Sequence, residues 1–384
     1  TLRPTVKVRM RENKQRVGAC LPLRCIFHFW KLSCTHPENS YLELGADMDY
    51  TVAMQRAIAL AEKGLGKTAP NPIVGAVIID STGATIAEGF HDRNQSSDHA
   101  EVVAIKAAGE KSQGSTIVVT LEPCNHTGNT GPCVQAIIDA GITTVVFAVS
   151  DPNEKAAGGA DALRAAGINV VEGVLKDEAA FSNRAWLMKI RKNRPFFTWK
   201  VAATLDGKVA AADGTSKWIT NEASRADVQV LRRQADAILV GTNTVIADNP
   251  HLIPRGDFEG FTNNPIRVVC GEQELPKDAQ VFDDAAQTVV VKSKDLDVLV
   301  EKLNELGVNH VFVEAGPTLG SAMLDGCLLD ELIMYQAPSL LGTGKHFFAF
   351  DYPTTITDQM RMDHLGTQVF DGDVKSVYRI RNGE

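Results

Sequence analysis

Residues 99–133 read HAEVVAIKAAGEKSQGSTIVVTLEPCNHTGNTGPC, and this stretch decides the fold of the first half of the chain. Its apolar pattern predicts a helix over Glu101–Gly109 and a buried strand over Thr116–Leu121, and a second helix follows directly over Val134–Ala140. A strand that is apolar along its whole length and lies between two helices is typical of an α/β sheet with both faces covered.

The flanking sequence continues this alternation of helices and strands. It therefore predicts one sheet with helices on both faces. The further predicted elements are helices over Tyr50–Lys63 and Ala160–Ala166, and strands over Ile73–Asp80, Ala84–Phe90, Thr144–Val149 and Asn169–Val174.

The alternation of predicted strands and helices stops at a basic stretch and begins again after it. We assign Lys189–Arg194 to the end of a helix that starts at Asp177, as a solvated face, and place the domain boundary near Arg194–Pro195. The prediction is a leader over 1–47, a first domain over 48–194 and a second α/β domain over 195–384. The second domain has predicted strands at Phe196–Ala203, Ala237–Val240, Ile266–Val269, Thr288–Val291, His310–Glu314, Glu331–Gln336 and Ser376–Ile380, and helices at Ser224–Gln234, Leu296–Leu306 and from Leu319.

Composition narrows the class of protein. The 384 residues exceed the usual single-core domain. The formal net charge of -8 argues against a dedicated nucleic-acid binder. The chain has no apolar run of about 18 residues, the length that would predict a membrane helix. Seven cysteines are too few for a disulfide scaffold, so the question is whether some of them bind metal.

Residues 1–47 differ from the rest of the chain. They hold eight Lys and Arg against four acids, a net charge of +4, so residues 48–384 carry -12. Three interpretations are open for this segment: a metal cluster, a transit peptide, and a non-native leader with Met48 as the working start. We favour the leader and exclude the segment from the fold prediction. The candidate cluster would have used Cys20, Cys25, Cys34, His28 and His36.

Three residues form a candidate metal site. His99 opens a helix, Cys124 follows a strand, and Cys133 opens the next helix. Zinc accepts imidazole and thiolate ligands, and three protein ligands leave a fourth position for water. The sequence therefore predicts one zinc ion per chain.

Glu101 stands two residues after His99, close enough to reach the metal-bound water without binding the metal. Zinc lowers the pKa of such a water, and a carboxylate beside it can move a proton to a leaving amine. This is the logic of zinc deaminases, although eight residues separate Cys124 from Cys133 where the short signature has two. The alternatives are a closed zinc site with His126 as fourth ligand, or two unrelated buried cysteines, and both leave Glu101 without a role.

The longer pattern resembles one enzyme family. Asn71–Gly75, His99–Glu101, Glu122–Gly128 and Gly131–Cys133 are similar to the deaminase half of the bifunctional riboflavin-biosynthesis deaminase/reductase, which usually has a second proline in place of Gly131. The resemblance implies a cytidine-deaminase-like three-layer domain. It also implies substrate contacts from Asn71, His91 and His126.

Two strand-to-helix turns are the best ligand candidates in the second half. Val240–Thr244 and Glu314–Gly320 each supply small residues and backbone N–H groups at a helix start, where a phosphate binds well. An ordinary connection without a ligand remains the alternative. No G-x-G-x-x-G sequence follows a predicted strand, which argues against an ordinary Rossmann site.

The second half resembles the reductase half of the same family. Lys200–Gly207, Ser216–Thr220, Thr244–Pro250 and Glu314–Gly320 carry this resemblance. It implies a dihydrofolate-reductase-like α/β fold that uses NADPH. The implied cofactor contacts are Ala202, Trp218, Thr244, Asp248, Gly316, Pro317, Thr318, Leu319, Gly320, Ser321 and Ala322, and the implied substrate contacts are Lys200, Ser216, Arg232, Leu252, Arg255 and Glu314.

The predicted function is two consecutive steps of riboflavin biosynthesis, as the resemblance implies. A zinc-dependent deamination of 2,5-diamino-6-(5-phosphoribosylamino)pyrimidin-4(3H)-one precedes an NADPH reduction of the ribosyl group to 5-amino-6-(5-phosphoribitylamino)uracil. The alternatives are a nucleoside or tRNA-base deaminase with an accessory domain, which the acidic balance disfavours, and a zinc-stabilised binding module. We expect a cytoplasmic enzyme with a small-molecule partner and neither nucleic acid nor membrane. Homo-oligomerisation and an organellar leader in 1–47 stay open.

Overall fold

Two separate β-sheets organise the chain in the computed structural model. The structure describes residues 48–126, 131–153, 157–258, 260–350 and 355–381. The predicted leader and its cysteines lie outside the described residues. None of the described helices is both long enough and apolar enough to cross a membrane.

The first sheet has five strands in the order β2-β1-β3-β4-β5. Strand β1 is antiparallel to β2 and β3, whereas β3, β4 and β5 run parallel. The elements are α1 (Thr51–Glu62), β1 (Gly75–Ile79), β2 (Thr85–Phe90), α2 (Ala100–Ala108), β3 (Thr116–Leu121), α3 (Cys133–Asp139), β4 (Thr144–Val149), α4 (Gly159–Ala165), β5 (Asn169–Glu172), α5 (Lys176–Ser182) and α6 (Arg184–Lys192).

Helices cover both faces of this sheet, as predicted. Helices α1 and α5 contact each other and the sheet on one face. On the other face α3 contacts both α2 and α4. Strand β1 is buried at all five positions, because a central strand with both faces covered has no solvent side. The result is a three-layer domain with an apolar core.

The second sheet has eight strands in the order β10-β9-β8-β11-β6-β12-β15-β14. The six strands from β10 to β12 run parallel, and β15 is antiparallel to both β12 and β14. The elements are β6 (Phe196–Thr204), β7 (Lys208–Ala210), α7 (Glu222–Gln234), β8 (Ala237–Gly241), α8 (Thr242–Asp248), β9 (Ile266–Cys270), β10 (Thr288–Val291), α9 (Leu296–Glu305), β11 (His310–Val313), α10 (Pro317–Asp325), β12 (Glu331–Ala337), β13 (Lys345–His346), β14 (Met362–Phe370) and β15 (Asp373–Ile380).

The structure differs from the prediction at several elements. The short strands β7 and β13 were not predicted, and β15 begins at Asp373, before the predicted start at Ser376. The helix predicted from Asp177 is divided at Asn183, whose side-chain oxygen accepts the backbone N–H of Ile73 at 3.3 Å. This contact holds the break between α5 and α6 in place. Edge strand β14 was not predicted, because its residues are largely exposed and show no clean alternation.

Candidate active sites

The ends of three elements bring the predicted metal ligands together. His99 precedes the first residue of α2, Cys133 is the first residue of α3, and Cys124 lies in the loop after β3. Their ligand atoms all lie within 4.8 Å of one another. His99 Nδ1 is 3.2 Å from Cys133 Sγ and 3.5 Å from Cys124 Sγ.

These distances fit a zinc ion. Zn–S and Zn–N bonds of about 2.3 and 2.0 Å in a tetrahedron place neighbouring donors about 3.5 Å apart. Cys124 can ionise, because hydrogen bonds from Cys133 and His99 lower the pKa of its thiol below the ordinary value. His126 is exposed and lies outside the ligand group, so the described residues provide three ligands and not the closed set of four.

Glu101 lies in the first turn of α2 and is 3% exposed. Burial raises the pKa of its carboxyl above the ordinary value. The side chain also borders a cavity of about 490 Å³ that reaches the metal ligands. A buried carboxyl beside an open zinc position can accept and return a proton.

The two other predicted substrate residues meet on the wall of this cavity. Asn71 Nδ2 lies 3.2 Å from His91 Nε2, and His91 Nδ1 lies 2.9 Å from the carbonyl oxygen of Asp98. Because that carbonyl can only accept, Nδ1 carries the proton and Nε2 accepts from Asn71. Burial lowers the pKa of His91, which favours this neutral form. The Asn71 side-chain oxygen therefore stays available to a ligand.

Sequence reasoning missed several residues of this site. Trp186 and Ile190 line the cavity from α6, where they read as ordinary apolar positions of a helix. Glu122, in the Glu-Pro-Cys stretch, accepts the backbone N–H groups of Asp151 and Ala160, each at 3.0 Å. Glu122 thereby fixes the loops around the metal ligands, and its place directly before Pro123-Cys124 was the available signal.

The second candidate site lies at the carboxyl ends of β6, β8 and β11, which are neighbours in the sheet. The two predicted turns meet there, since Leu319 packs 3.8 Å from a Cβ placed on Gly241. The N–H groups of Thr318 and Leu319 precede the first hydrogen bond within α10, which Gly320 donates to Gly316. Such N–H groups can bind a phosphate.

Two predicted cofactor residues of α10 face the protein interior. A Cβ on Gly320 would lie 2.2 Å from the indole of Trp199, so only glycine fits there. The Ser321 hydroxyl is buried and accepts the backbone N–H of Ala349 at 2.8 Å. Contacts from Gly320 and Ser321 to a cofactor are therefore limited to the backbone.

The remaining predicted cofactor residues lie around the same edge. Trp218 is 65% exposed, and the guanidinium of Arg225 stacks 4.6 Å from its ring centre. Lys217 forms an ion pair with Asp248 at 3.3 Å, which connects the Trp218 segment to the end of α8. An exposed aromatic face, nearby cations and two phosphate-suited turns fit a dinucleotide. Thr244 lies half-buried on α8, and Ala202 is a half-buried residue of β6.

Three charged residues form the centre of the second site. Arg232 binds both carboxylate oxygens of Glu314, through Nε and, at 2.8 Å, through Nη2. Burial raises the pKa of Glu314, but Arg232, with help from Lys200 and Arg255, lowers it by more, so the net pKa lies below the ordinary value. Burial lowers the pKa of Lys200, and Glu314 partly opposes this effect. In this structure Arg232 holds a carboxylate, while Arg255 is exposed and free to meet an anion.

Ser216 and Leu252 complete the predicted set. Ser216 is half-buried in the loop before α7, next to the Lys217 segment. Leu252 is 2% exposed and has φ +52°, so its side chain packs in the core. Only the backbone of Leu252 can reach a substrate.

Comparisons with known proteins identify the family. Residues 48–149 match the cytidine and deoxycytidylate deaminase zinc-binding region, and residues 195–376 match the RibD C-terminal domain. The chain is 45% identical to riboflavin biosynthesis protein RibD of Mycobacterium tuberculosis over 76% of its own length and 85% of that protein. The chain belongs to the RibD family.

Solved RibD structures agree with this assignment. Acinetobacter baumannii RibD is 38% identical, with a TM-score of 0.80 over 86% of this chain and 98% of that one. A Thermotoga maritima diaminohydroxyphosphoribosylaminopyrimidine deaminase/5-amino-6-(5-phosphoribosylamino)uracil reductase is 35% identical, with a TM-score of 0.79 over the same shares. The predicted fold, a zinc deaminase domain followed by a dihydrofolate-reductase-like domain, is confirmed. Zinc and NADPH are the cofactors of this RibD-family chain.

Proposed function

We propose that this RibD-family chain deaminates 2,5-diamino-6-(5-phosphoribosylamino)pyrimidin-4(3H)-one and then reduces the ribosyl group of the product, giving 5-amino-6-(5-phosphoribitylamino)uracil. The observation that carries the proposal is Glu101, a buried carboxyl at a three-ligand metal site that borders a cavity. The relatives named for riboflavin biosynthesis support the substrate. Their match across both domains favours this function over a nucleoside or tRNA-base deaminase with an accessory domain.

In the first step the chain positions the pyrimidine and moves protons. His99, Cys124 and Cys133 would hold the zinc, which when bound supplies a Lewis acid that activates water. Glu101 takes a proton and delivers it to the departing amine, so the carbon loses ammonia and gains oxygen. The free side-chain oxygen of Asn71 accepts a hydrogen bond from the ring, since His91 already occupies its amide nitrogen.

In the second step the chain holds the sugar beside the cofactor. NADPH supplies a hydride when bound. We propose that Lys200 holds the proton nearest the sugar, because its ammonium is half-buried and lies close enough to Glu314 for their charges to interact. Arg232 fixes the Glu314 carboxylate in one orientation through two hydrogen bonds. Arg255, which is exposed near this group, is the candidate for the substrate phosphate.

We also propose that the two domains divide near Arg194–Pro195. No strand is shared between the two sheets in the described residues, and the boundary falls between the end of α6 and the start of β6. Trp186 and Leu187 of α6 belong to the core of the first domain, which supports a boundary after α6.

One coupled assay tests the proposal. The full chain is given the diamino substrate with and without NADPH, while ammonia release and NADPH oxidation are followed together. Ammonia should appear in both reactions, and NADPH should be oxidised only after deamination begins. Oxidation of NADPH without ammonia release would contradict the order of the steps, and release of no ammonia by the zinc-loaded enzyme would contradict the first activity.

A further inference from the structure

A second cavity lies between the two domains. Its volume is about 380 Å³, within the range that small-molecule sites occupy. Gly66, Lys67 and Arg93 line it from the first domain, and Arg233 and Asp236 line it from the second. No predicted substrate or cofactor residue lines this cavity.

Three cations from both domains reach this interdomain cavity, and two of them have no acidic partner. Arg93 donates to the backbone oxygen of Ala69. Arg233 donates to the backbone oxygen of Asn263 and to the side-chain oxygen of Asn264, each at 2.9 Å. Among the described residues neither guanidinium forms an ion pair, and the buried Nε of Arg233 has no hydrogen-bond partner.

The third cation is held in place by an aromatic ring. Lys67 Nζ lies 4.6 Å from the ring centre of Phe261 and 3.5 Å from Asp92 Oδ2, and its side chain is 9% exposed. Phe261 also stacks against the guanidinium of Arg233 at 5.0 Å. The ring therefore fixes both cations without neutralising them.

The cavity also contains a carboxylate. Asp236 Oδ2 accepts the backbone N–H groups of Asn309 and His310 at 3.0 and 2.9 Å, so it faces the protein's own amides. With Asp92 and Asp236 counted against Lys67, Arg93 and Arg233, one positive charge remains. A positive charge fixed in a half-closed cavity favours an anion, and guanidinium groups suit phosphate oxygens.

We propose that the interdomain cavity binds the phosphate group of a small phosphate monoester, the size of a pentose phosphate. Arg93, Arg233 and Lys67 contact the phosphate, and Asn94 of the wall contacts the rest of the molecule. Arg93 also lines the 490 Å³ deaminase cavity, so the bound phosphate lies next to the deaminase site. Because both domains supply ligands, binding also holds the two domains together.

Calorimetry of the full chain with ribose 5-phosphate tests the proposal. Arg233→Gln should weaken one binding event about tenfold or more, because it removes a charge-assisted contact. Arg361→Gln is the control, because Arg361 is exposed and does not line the cavity, and it should leave the binding of ribose 5-phosphate unchanged. Arg255→Gln should also leave the binding of ribose 5-phosphate unchanged. If binding is lost in Arg255→Gln and kept in Arg233→Gln, the ligand binds at the reductase site and the proposal is overturned.

A second variant and a direct location complete the test. Arg93→Gln changes an exposed side chain, so folding is preserved, and it should weaken the same event. Crystals soaked in tungstate, a phosphate analogue, should show an anomalous peak between Arg93 and Arg233. Unchanged binding in both variants, or no peak there, would overturn the proposal. The same calorimetry with inorganic phosphate and with ribose identifies the ligand. Tighter binding of ribose 5-phosphate than of inorganic phosphate would identify the ester, and equal binding would identify free phosphate. Binding of ribose alone would refute both.

Discussion

Gly66 of the first domain packs directly against the backbone of Arg233 in the second. A Cβ on Gly66 would lie 2.3 Å from the carbonyl oxygen of Arg233, and Gly66 has φ +72°. The position therefore needs glycine for two reasons, the left-handed backbone and the close approach of another chain segment. The joint between the domains is a tight contact at this point.

Gly66→Ala should destabilise the chain and loosen this joint. The left-handed backbone alone costs about 1–2 kcal/mol, and the clash with Arg233 adds to it. We expect a lower melting temperature and faster proteolysis between the domains. Gly83→Ala is the matched control, because Gly83 has φ +86° but no atom within 4 Å of its Cβ position. Equal losses in the two variants would show that the domain contact contributes nothing.

Cys124→Ser should remove zinc from the protein. A hydroxyl does not replace a thiolate ligand, and only two of the three protein ligands would remain. Metal analysis of the purified variant should find far less than one zinc per chain, and ammonia release should stop. Cys327→Ser, which alters an exposed cysteine outside the site, should keep its zinc. Full zinc content in Cys124→Ser would rule out this ligand set.

Glu101→Gln should keep zinc and lose deamination. The amide fills the same space but cannot take up a proton, so the rate should fall about 10²–10⁴-fold. Reduction of substrate that has already been deaminated should proceed as before. Glu110→Gln, on the exposed surface, serves as the control. Ammonia release at the normal rate in Glu101→Gln would remove this residue from the mechanism.

Lys200→Ala should stop reduction and leave deamination untouched. The change removes the half-buried cation near Glu314, and the metal site shares no residue with this group. The loss of reduction is measured as NADPH oxidation with deaminated substrate. The retained deamination is measured as ammonia release from the diamino substrate. Lys302→Ala, an exposed change on α9, should affect neither activity. Reduction that survives in Lys200→Ala would assign the proton to another group.

Asp236 should make stability fall as the pH rises. Burial raises the pKa of its carboxyl from 3.8 to about 6, so between these values the folded chain holds a proton that the unfolded chain releases. Stability therefore declines across this window and stays lower above it. A pKa shift of this size would lower the free energy of unfolding by about 3 kcal/mol across the window. We expect a smaller change because Asp236 is partly exposed. Melting temperatures at pH 5 and pH 8 should show a smaller difference in Asp236→Asn than in Asp161→Asn, an exposed control.

Local patterns in the sequence were enough to predict the elements and the metal ligands. The apolar run of β3 and the periodicity of α2 depend only on neighbouring residues, and the structure places these elements within a residue or so of the predicted bounds. The set of His99, Cys124 and Cys133 was predicted because zinc accepts imidazole and thiolate ligands and each residue stands next to the end of a predicted element, and the structure brings their ligand atoms together. Glu101 was predicted as the proton carrier from its spacing to His99, and that role stays a prediction.

Only the tertiary structure decided which distant residues complete each site. The contact of Arg232 with Glu314 joins a helix to the end of a strand 82 positions later, and no local pattern encodes that pairing. Trp186 lines the deaminase cavity because α5 and α6 break at Asn183. The cavity between Arg93 and Arg233 exists because two separately encoded domains pack at Gly66. Such contacts depend on how whole surfaces fit together, which sequence periodicity does not determine.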